Sequence, residues 1–468
     1  MRYLVLIACC LLPAAAQAAD VTSPPAIAAM PLLVTAPPQP SPPLDPAEPL
    51  TVDMAVRILT ADNPQLTAAR AKTQADQAAA KSLRGRLLPG IHLGDSQQWY
   101  QSELVPTGQL AQRLSPAVLQ SFPKNMTVNV LSVGARQPLL SLLPLSYQLA
   151  AMNLDAEASA KDTQALQATL VAQVKVNFLR LFEAQSLAAT AAASQHDLEA
   201  QVQTAQFRVD AGALTLADVL RLKVAAANAA QQVIFAQGQA DTLRATLLEM
   251  LGKGEDQGHI NFVEPEELKE FSSPEPLAQA RSAALQTRPE FHRVLLAAQA
   301  ARKHLRARTF ALLPDLQIEA AYLHVVAQPF NTPGRSTLRA ASGSLGLKAE
   351  WAVWEWGATY YERQQASAQS DMAAAHVLQA QQQIGIEVAS RRADAVSAAA
   401  AVQVAQVQVQ SAEEAYRVMQ ALIGAGSATT TDLLDAEAAL TQARLSQVRA
   451  RYEVAVSTVL FRQAMGCP

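Results

Sequence analysis

Two short stretches carry residue types that could hold a catalytic nucleophile. Gly94-Asp95-Ser96 has the composition of a hydrolase nucleophile block, and Ser121-Phe122-Pro123-Lys124 has the Ser-x-x-Lys spacing of penicillin-recognising enzymes. Neither is accompanied by its companion motifs, and both fall inside segments patterned as strand hairpins, so chance spacing is the better account. The seven His residues show no metal-ligand spacing, and there is no Gly-Lys loop to cradle a phosphate. The pattern calls for no enzyme activity, no metal and no cofactor.

The residues that do carry a positional argument are acidic. Thr215-Leu216-Ala217-Asp218 and Thr429-Thr430-Thr431-Asp432 are capping boxes, in which Thr and Asp satisfy the free N–H groups at a helix start. Capping accounts for Asp218 and Asp432. It does not account for Asp435, one turn further on, whose counterpart in the first box is Arg221.

The elements that hold these boxes occur twice. Asn63-Pro64 runs to Leu87-Leu88-Pro89, and Arg288-Pro289 runs to Leu312-Leu313-Pro314, at an offset of 225. Gly212, Thr215, Asp218, Val219 and Leu220 match Gly426, Thr429, Asp432, Leu433 and Leu434 at an offset of 214. The 11-residue difference lies between the matched blocks, where the first copy must carry a longer loop. A duplication on this scale governs the whole reading of the fold.

Aromatics make up 5% of the 468 residues and charged residues 16%, while Ala and Gln dominate. Small Ala side chains let helices approach closely and Gln keeps a long helix wettable, so the bias suits extended helix-on-helix packing. A net charge of −3 gives no electrostatic case for nucleic acid. Arg2, the apolar run from Tyr3 to Leu12 and Ala16-Gln17-Ala18 read as a secretory signal over residues 1–18, whose loss would take the charge to −4. Leu6-Ile7-Ala8-Cys9 has lipobox residue types but leaves too short a basic and apolar region before it. Without the signal, Cys467 is the sole cysteine, so no internal disulfide holds the exported chain.

Residues 19–50, rich in proline, read as an extended N-terminal arm. The first repeat covers 51–251. Its helix starts at Thr51-Val52-Asp53, restarts at Asn63-Pro64 and ends near Leu88, before a hairpin over 90–137 and a long helix pair over 145–251. From Leu145 to Ala211 neither Gly nor Pro occurs, and an unbroken helix of that length is roughly 100 Å long. A segment over 252–277 joins the copies. The second repeat, 278–468, places a hairpin at 314–351 and helices over 358–464. Val402-Gln403-Val404 and Val407-Gln408-Val409 alternate with period two, but the breaker-free sequence around them favours helix.

The hairpins alternate as membrane strands do. Asp315, Gln317 and Glu319 oppose Leu316, Ile318, Ala320 and Tyr322; Ser344, Gly346, Lys348 and Glu350 oppose Leu345, Leu347, Ala349 and Trp351. Leu131, Val133 and Ala135 against Ser132, Gly134 and Arg136 repeat the pattern, which fades in the strand after Ile91 and Leu93. Strands of about 9 to 11 residues with one apolar face suit a barrel wall between lipid and a wet lumen. Trp99-Tyr100, Trp351, Trp354, Trp356 and Tyr360-Tyr361 gather at strand ends, where an interfacial belt would sit, although each could equally be a packing residue.

The ordered, duplicated set resembles the TolC family of outer-membrane efflux and secretion channels. It comprises the two Pro helix starts, Leu88-Pro89 and Leu313-Pro314, Gln137-Pro138-Leu139-Leu140 against Trp351-Ala352-Val353-Trp354, and the turns Gly212 to Leu220 and Gly426 to Ala436. The resemblance implies a mainly α fold with a membrane β-barrel part. Three protomers would give four strands each to a 12-stranded barrel above an α-helical periplasmic tunnel, with 252–277 in a belt around its middle. It implies a homotrimer among outer-membrane lipid, docked to a periplasmic adaptor and an inner-membrane pump or ABC exporter, and taking its energy from them. Asp432 and Asp435, with Asp218, would narrow the periplasmic aperture, and Gly212, Ala213, Thr215, Gly424, Gly426 and Thr429 would sit at the tips that meet the adaptor. Two alternatives remain: a periplasmic coiled-coil adaptor, which has one hairpin between β-rich domains, and a structural envelope protein, which needs no alternating strands.

Overall fold

A computed structural model describes residues 49–101, 125–253, 260–265, 274–329 and 337–467. Contacts divide the chain into Met1–Pro42 and Pro43–Pro468, and every described residue belongs to the second unit. The signal and the Pro-rich arm up to residue 48 lie outside the described residues, as do Ser121 to Lys124.

Helix α1 (Val52–Asp62) begins where Thr51 accepts the Met54 N–H, and stops at Asn63. The Asn63 side chain accepts from the N–H groups of Gln65 and Leu66, so it caps α2 (Pro64–Gly85), whose Pro occupies the first turn, where no donor is lost. That helix ends at Gly85, three residues before the expected Leu88; residues Arg86 to Leu88 continue in tighter turns through i to i+3 hydrogen bonds. Strands β1 (Gly90–Gln101) and β2 (Asn125–Pro138) follow. Helix α3 (Leu142–Asp210) is 69 residues long and starts before the expected Leu145, because Pro144 falls in its first turn, where proline is tolerated. Helix α4 (Leu216–Met250) closes the first repeat.

The second repeat builds the same series: α5 (Leu277–Thr287), α6 (Pro289–Phe310), β3 (Asp315–Pro329), β4 (Leu338–Glu350), α7 (Ala358–Gly424) and α8 (Thr430–Ala464). The period-two stretch of α7 is helical: Val404 and Val407 point to solvent while Val409 is buried. The extra residues of the first copy fall between Gln101 and Asn125, inside its hairpin connection.

The four strands form one antiparallel sheet in the order β1-β2-β3-β4. With 12, 14, 15 and 13 residues they are longer than one membrane crossing requires. The register puts Ile91, Ala135, Ala320 and Leu345 in one row and Leu93, Val133 and Tyr322 in the next. These make an exposed apolar face; Ile91 and Leu345 are each 81% exposed. The opposite face near the helices is polar, with Arg136 paired to Glu319 at 2.9 Å and Lys348 to Glu350 at 3.0 Å. His92 lies across Gly134, where a Cβ would meet its ring, so glycine there gives the imidazole its place. Towards the connection ends the apolar face gives way to Asp95, Gln97, Asn129 and His324, so the apolar band covers only the half of the sheet next to the helices.

The core is a set of separate clusters along the helices, as an elongated bundle requires. The largest gathers Leu59, Leu66, Val174, Phe178, Leu181, Leu247 and Leu251 around Phe262, whose bridge to Leu50 ties the inter-repeat segment to the start of α1. Further from the sheet, α3 packs along both α4 and α8, and α8 along α7. That gives the series α4, α3, α8, α7, with α4 and α7 at its ends.

Candidate functional site

The two helix turns are built alike. α3 ends at Asp210, followed by Ala211 and by Gly212 at φ 75°; α7 ends at Gly424, followed by Ala425 and by Gly426 at φ 76°. A left-handed residue here folds the chain back on the last helical turn. The Ala213 N–H donates to the Arg208 carbonyl at 2.7 Å, and the Ser427 N–H to that of Leu422 at 2.9 Å. Side chains with a Cβ resist this conformation, which is why glycine holds both positions. Gly424 is the last helical residue and has no such need.

Thr215 and Thr429 then start the next helices, each with both hydrogen bonds of a capping box. The Thr429 N–H and Oγ1 donate to Asp432 Oδ2 at 2.9 and 2.7 Å, and the Asp432 N–H donates to Thr429 Oγ1 at 3.2 Å. Thr215 and Asp218 repeat this at 3.2, 2.6 and 3.3 Å. Both carboxyls are held below the ordinary carboxylate range, first by the Thr hydroxyl at each cap; Asp218 gains further from Thr430 and from the charge of Arg221.

Those last two contacts show that the structure sets the turns side by side. Arg221 Nη1 donates to Thr431 Oγ1 at 3.0 Å, and Ala205, Val219 and Leu222 pack beneath with Leu434. The two copies differ at the residue that makes this contact. In the first copy Arg221 braces the turns together, whereas in the second its counterpart Asp435 is exposed and has no hydrogen bond or ion pair among the described residues. Asp432 and Asp435 stand one turn apart on the same exposed side of α8.

Behind the turns lies a polar layer that the sequence did not disclose. A cavity of about 410 Å³ between α3, α4, α7 and α8 is lined by Gln201, Tyr416, Leu222 and Leu433 among others. Gln201 Nε2 donates to the Tyr416 hydroxyl at 2.8 Å, and burial pushes that phenol up, aided by the carboxylates of Asp197 and Glu437. Glu437 itself is buried and accepts from Ser194 at 2.6 Å and Thr441 at 2.8 Å. Thr441 is one turn on along α8, but Ser194 comes from α3, more than two hundred residues earlier in the chain, so no local pattern brings it in. No cluster able to hold a metal ion occurs among the described residues.

The family described as outer membrane efflux protein matches residues 56–253 and 280–467, one block for each repeat. Outer membrane efflux protein BepC of Brucella suis is 22% identical over 298 residues, covering 63% of this chain and 62% of that protein, so the chain spans less than two thirds of this relative's length. Among solved structures, the outer-membrane channel OprN superposes with a TM-score of 0.72 at 19% identity, over 92% of this chain and 95% of its own. CusC, whose structures concern transmembrane channel formation, gives 0.76 at 16% identity over 89% and 92%. VceC, an outer membrane protein of Vibrio cholerae, gives 0.74 at 16% over 89% and 96%. The fold is thus that of channel proteins. With both repeats matched in order, the chain belongs to the outer membrane efflux protein family, and its place is the cell outer membrane with the helices in the periplasm.

Proposed function

We propose that the chain is the passive exit duct of a tripartite efflux pump or type I secretion system, working as a homotrimer. The observation that carries this is the sheet with two open edges. β1 and β4 each pair on one side only, and the apolar face between them is built for lipid. Unpaired backbone groups cannot face hydrocarbon, so four strands in a membrane must close against copies of themselves. Three copies give the 12 strands of the resemblance. The helical half needs closure too, because α4 and α7, at the two ends of the helix series, both leave apolar side chains uncovered.

In this assembly the paired turns lie at the far end of the tunnel. Gly212, Ala213, Thr215, Gly424, Gly426 and Thr429 form tips that a periplasmic adaptor engages, and Asp432 and Asp435 face the aperture. An inner-membrane pump or ABC exporter supplies the energy. The coiled-coil adaptor and structural readings lose to the four-stranded sheet, which neither requires. The test is purification from outer membrane: the protein runs as a trimer in detergent and forms ion-conducting pores in planar bilayers. A monodisperse, water-soluble monomer without detergent overturns the duct.

A further inference from the structure

Two clusters of cations sit on the helices that lead into the sheet. At the end of α2, Lys81, Arg84 and Arg86 are exposed, and their side chains have no hydrogen bond or ion pair among the described residues. On α6, Arg302 is likewise exposed, while Lys303 and Arg306 lie 5.8 and 5.9 Å from the Tyr147 ring, which stacks on Phe310 at 5.2 Å. Their neighbours His304 and Arg308 are instead paired with Asp155 and Glu362. The chain had acids within reach of these helices and used them elsewhere.

The position of these cations is informative. α2 ends at Gly85 and α6 at Phe310, so at 1.5 Å per residue all six lie within roughly 12 Å of the helix ends. Immediately beyond come exposed Leu88, Leu312 and Leu313, and then the apolar face of the sheet. Along one direction the surface passes from aliphatic to aromatic to cationic, the order of hydrocarbon, interface and headgroup in a bilayer. A groove of about 440 Å³ between α2 and α3 lies at the same level, with Lys81, Arg84, Gln77 and Asn153 beside apolar Leu149 and Ala156; Glu157 is its one carboxylate. Donors next to an aliphatic wall match a phosphate carrying acyl chains better than a free ion.

We propose that this collar binds the headgroups of anionic phospholipid, phosphatidylglycerol or cardiolipin, in the leaflet that faces the periplasm. It rests on the sheet standing in the outer membrane. The cations attract the phosphate and the groove holds the first stretch of chain, so the lipid steadies the junction between sheet and helices.

The test uses the purified full-length protein, stripped of lipid and re-exposed to mixed micelles holding equal phosphatidylglycerol and phosphatidylethanolamine. Native mass spectrometry of the wild type should show phosphatidylglycerol retained several-fold over phosphatidylethanolamine, and raising the salt from 0.1 to 1 M should release it. The variant K81Q/R84Q/R302Q/R306Q should lose the preference, and R84K/R302K/R306K should keep it. Equal retention of the two lipids by the wild type, or an undiminished preference in the Gln variant, overturns the proposal. A thermal shift from inorganic phosphate alone equal to that from phosphatidylglycerol overturns it in favour of a free-anion site. Pore conductance is read from the same preparation, so a wild type that conducts but shows no lipid preference sinks this inference and leaves the duct intact.

Discussion

At the residue scale, Asp432 and Asp435 do different work although they are one turn apart. Asp432 is committed to Thr429 as a cap, a role compatible with a place at the aperture; Asp435 has no partner among the described residues, and its counterpart Arg221 is used as a brace. Three copies around one axis would set two acidic rings where low-dielectric walls focus the field on cations. Asp432→Ala with Asp435→Ala is therefore expected to weaken block by multivalent cations from the periplasmic side in single-channel recordings while the trimer survives; unchanged block would remove both from the aperture. The caps also predict a pH dependence. The Asp218 and Asp432 carboxyls are lowered from 3.8 in the folded chain, so their contribution is complete above that value and fades as pH falls through the lowered folded value. Hydrogen exchange at the tips should accelerate only below about pH 4, and this acid step should vanish when both caps are removed together, in Asp218→Ala with Asp432→Ala. The caps and the glycines were legible from the sequence because their hydrogen bonds close within three to five residues. The contacts of Arg221 with Thr431 and of Glu437 with Ser194 were not, since each joins one repeat to the other.

At the element scale, α4 and α7 are each apolar on two opposite faces. On α4, Val219, Leu222 and Leu247 are buried against α3 while Leu220, Val224, Ile234 and Phe235 are exposed; on α7, Ala395, Ala405 and Val409 are buried while Val396, Val404, Val407 and Val418 are exposed. A second apolar stripe on a helix of this length asks for a second neighbour. A rotation axis along the tunnel keeps every residue at its own height. At 1.5 Å per residue, Ile234 and Phe235 lie roughly 27 Å above the turn, and Val404 and Val407 about the same, so in the proposed trimer these pairs would meet across the joint between copies. Phe235→Asp is expected to shift the purified protein from trimer towards monomer by light scattering, whereas the same change at Phe207, exposed on α3, is not. Equal loss at both positions would contradict the joint. The sequence showed the length of these helices through missing glycine and proline, but not their two-faced character, because Ala occupies both buried and exposed positions. It also placed all four strands: the span expected for β1, Ile91 to Leu104, is no shorter than the strand itself, whereas β2 and β3 run on past the alternating stretch where polar Asn129 and His324 interrupt the apolar face.

At the scale of the whole molecule, two copies of one hairpin-and-helix unit give a chain whose membrane part and whose turns are joined by unbroken helix. α3 and α7 run from the sheet to the turns in 69 and 67 residues, each as one continuous helix. Gly385, the one glycine inside α7, is packed under Arg281 and the helix continues through it. A continuous rod roughly 100 Å long is a lever, and a tilt of about one degree at the sheet moves its far end by about 2 Å. Displacements large enough to change an aperture therefore need rotations too small to break a strand hydrogen bond. In the proposed duct, the outer part of the molecule would keep one shape while a partner gripping the turns opened them with little force at a long mechanical advantage.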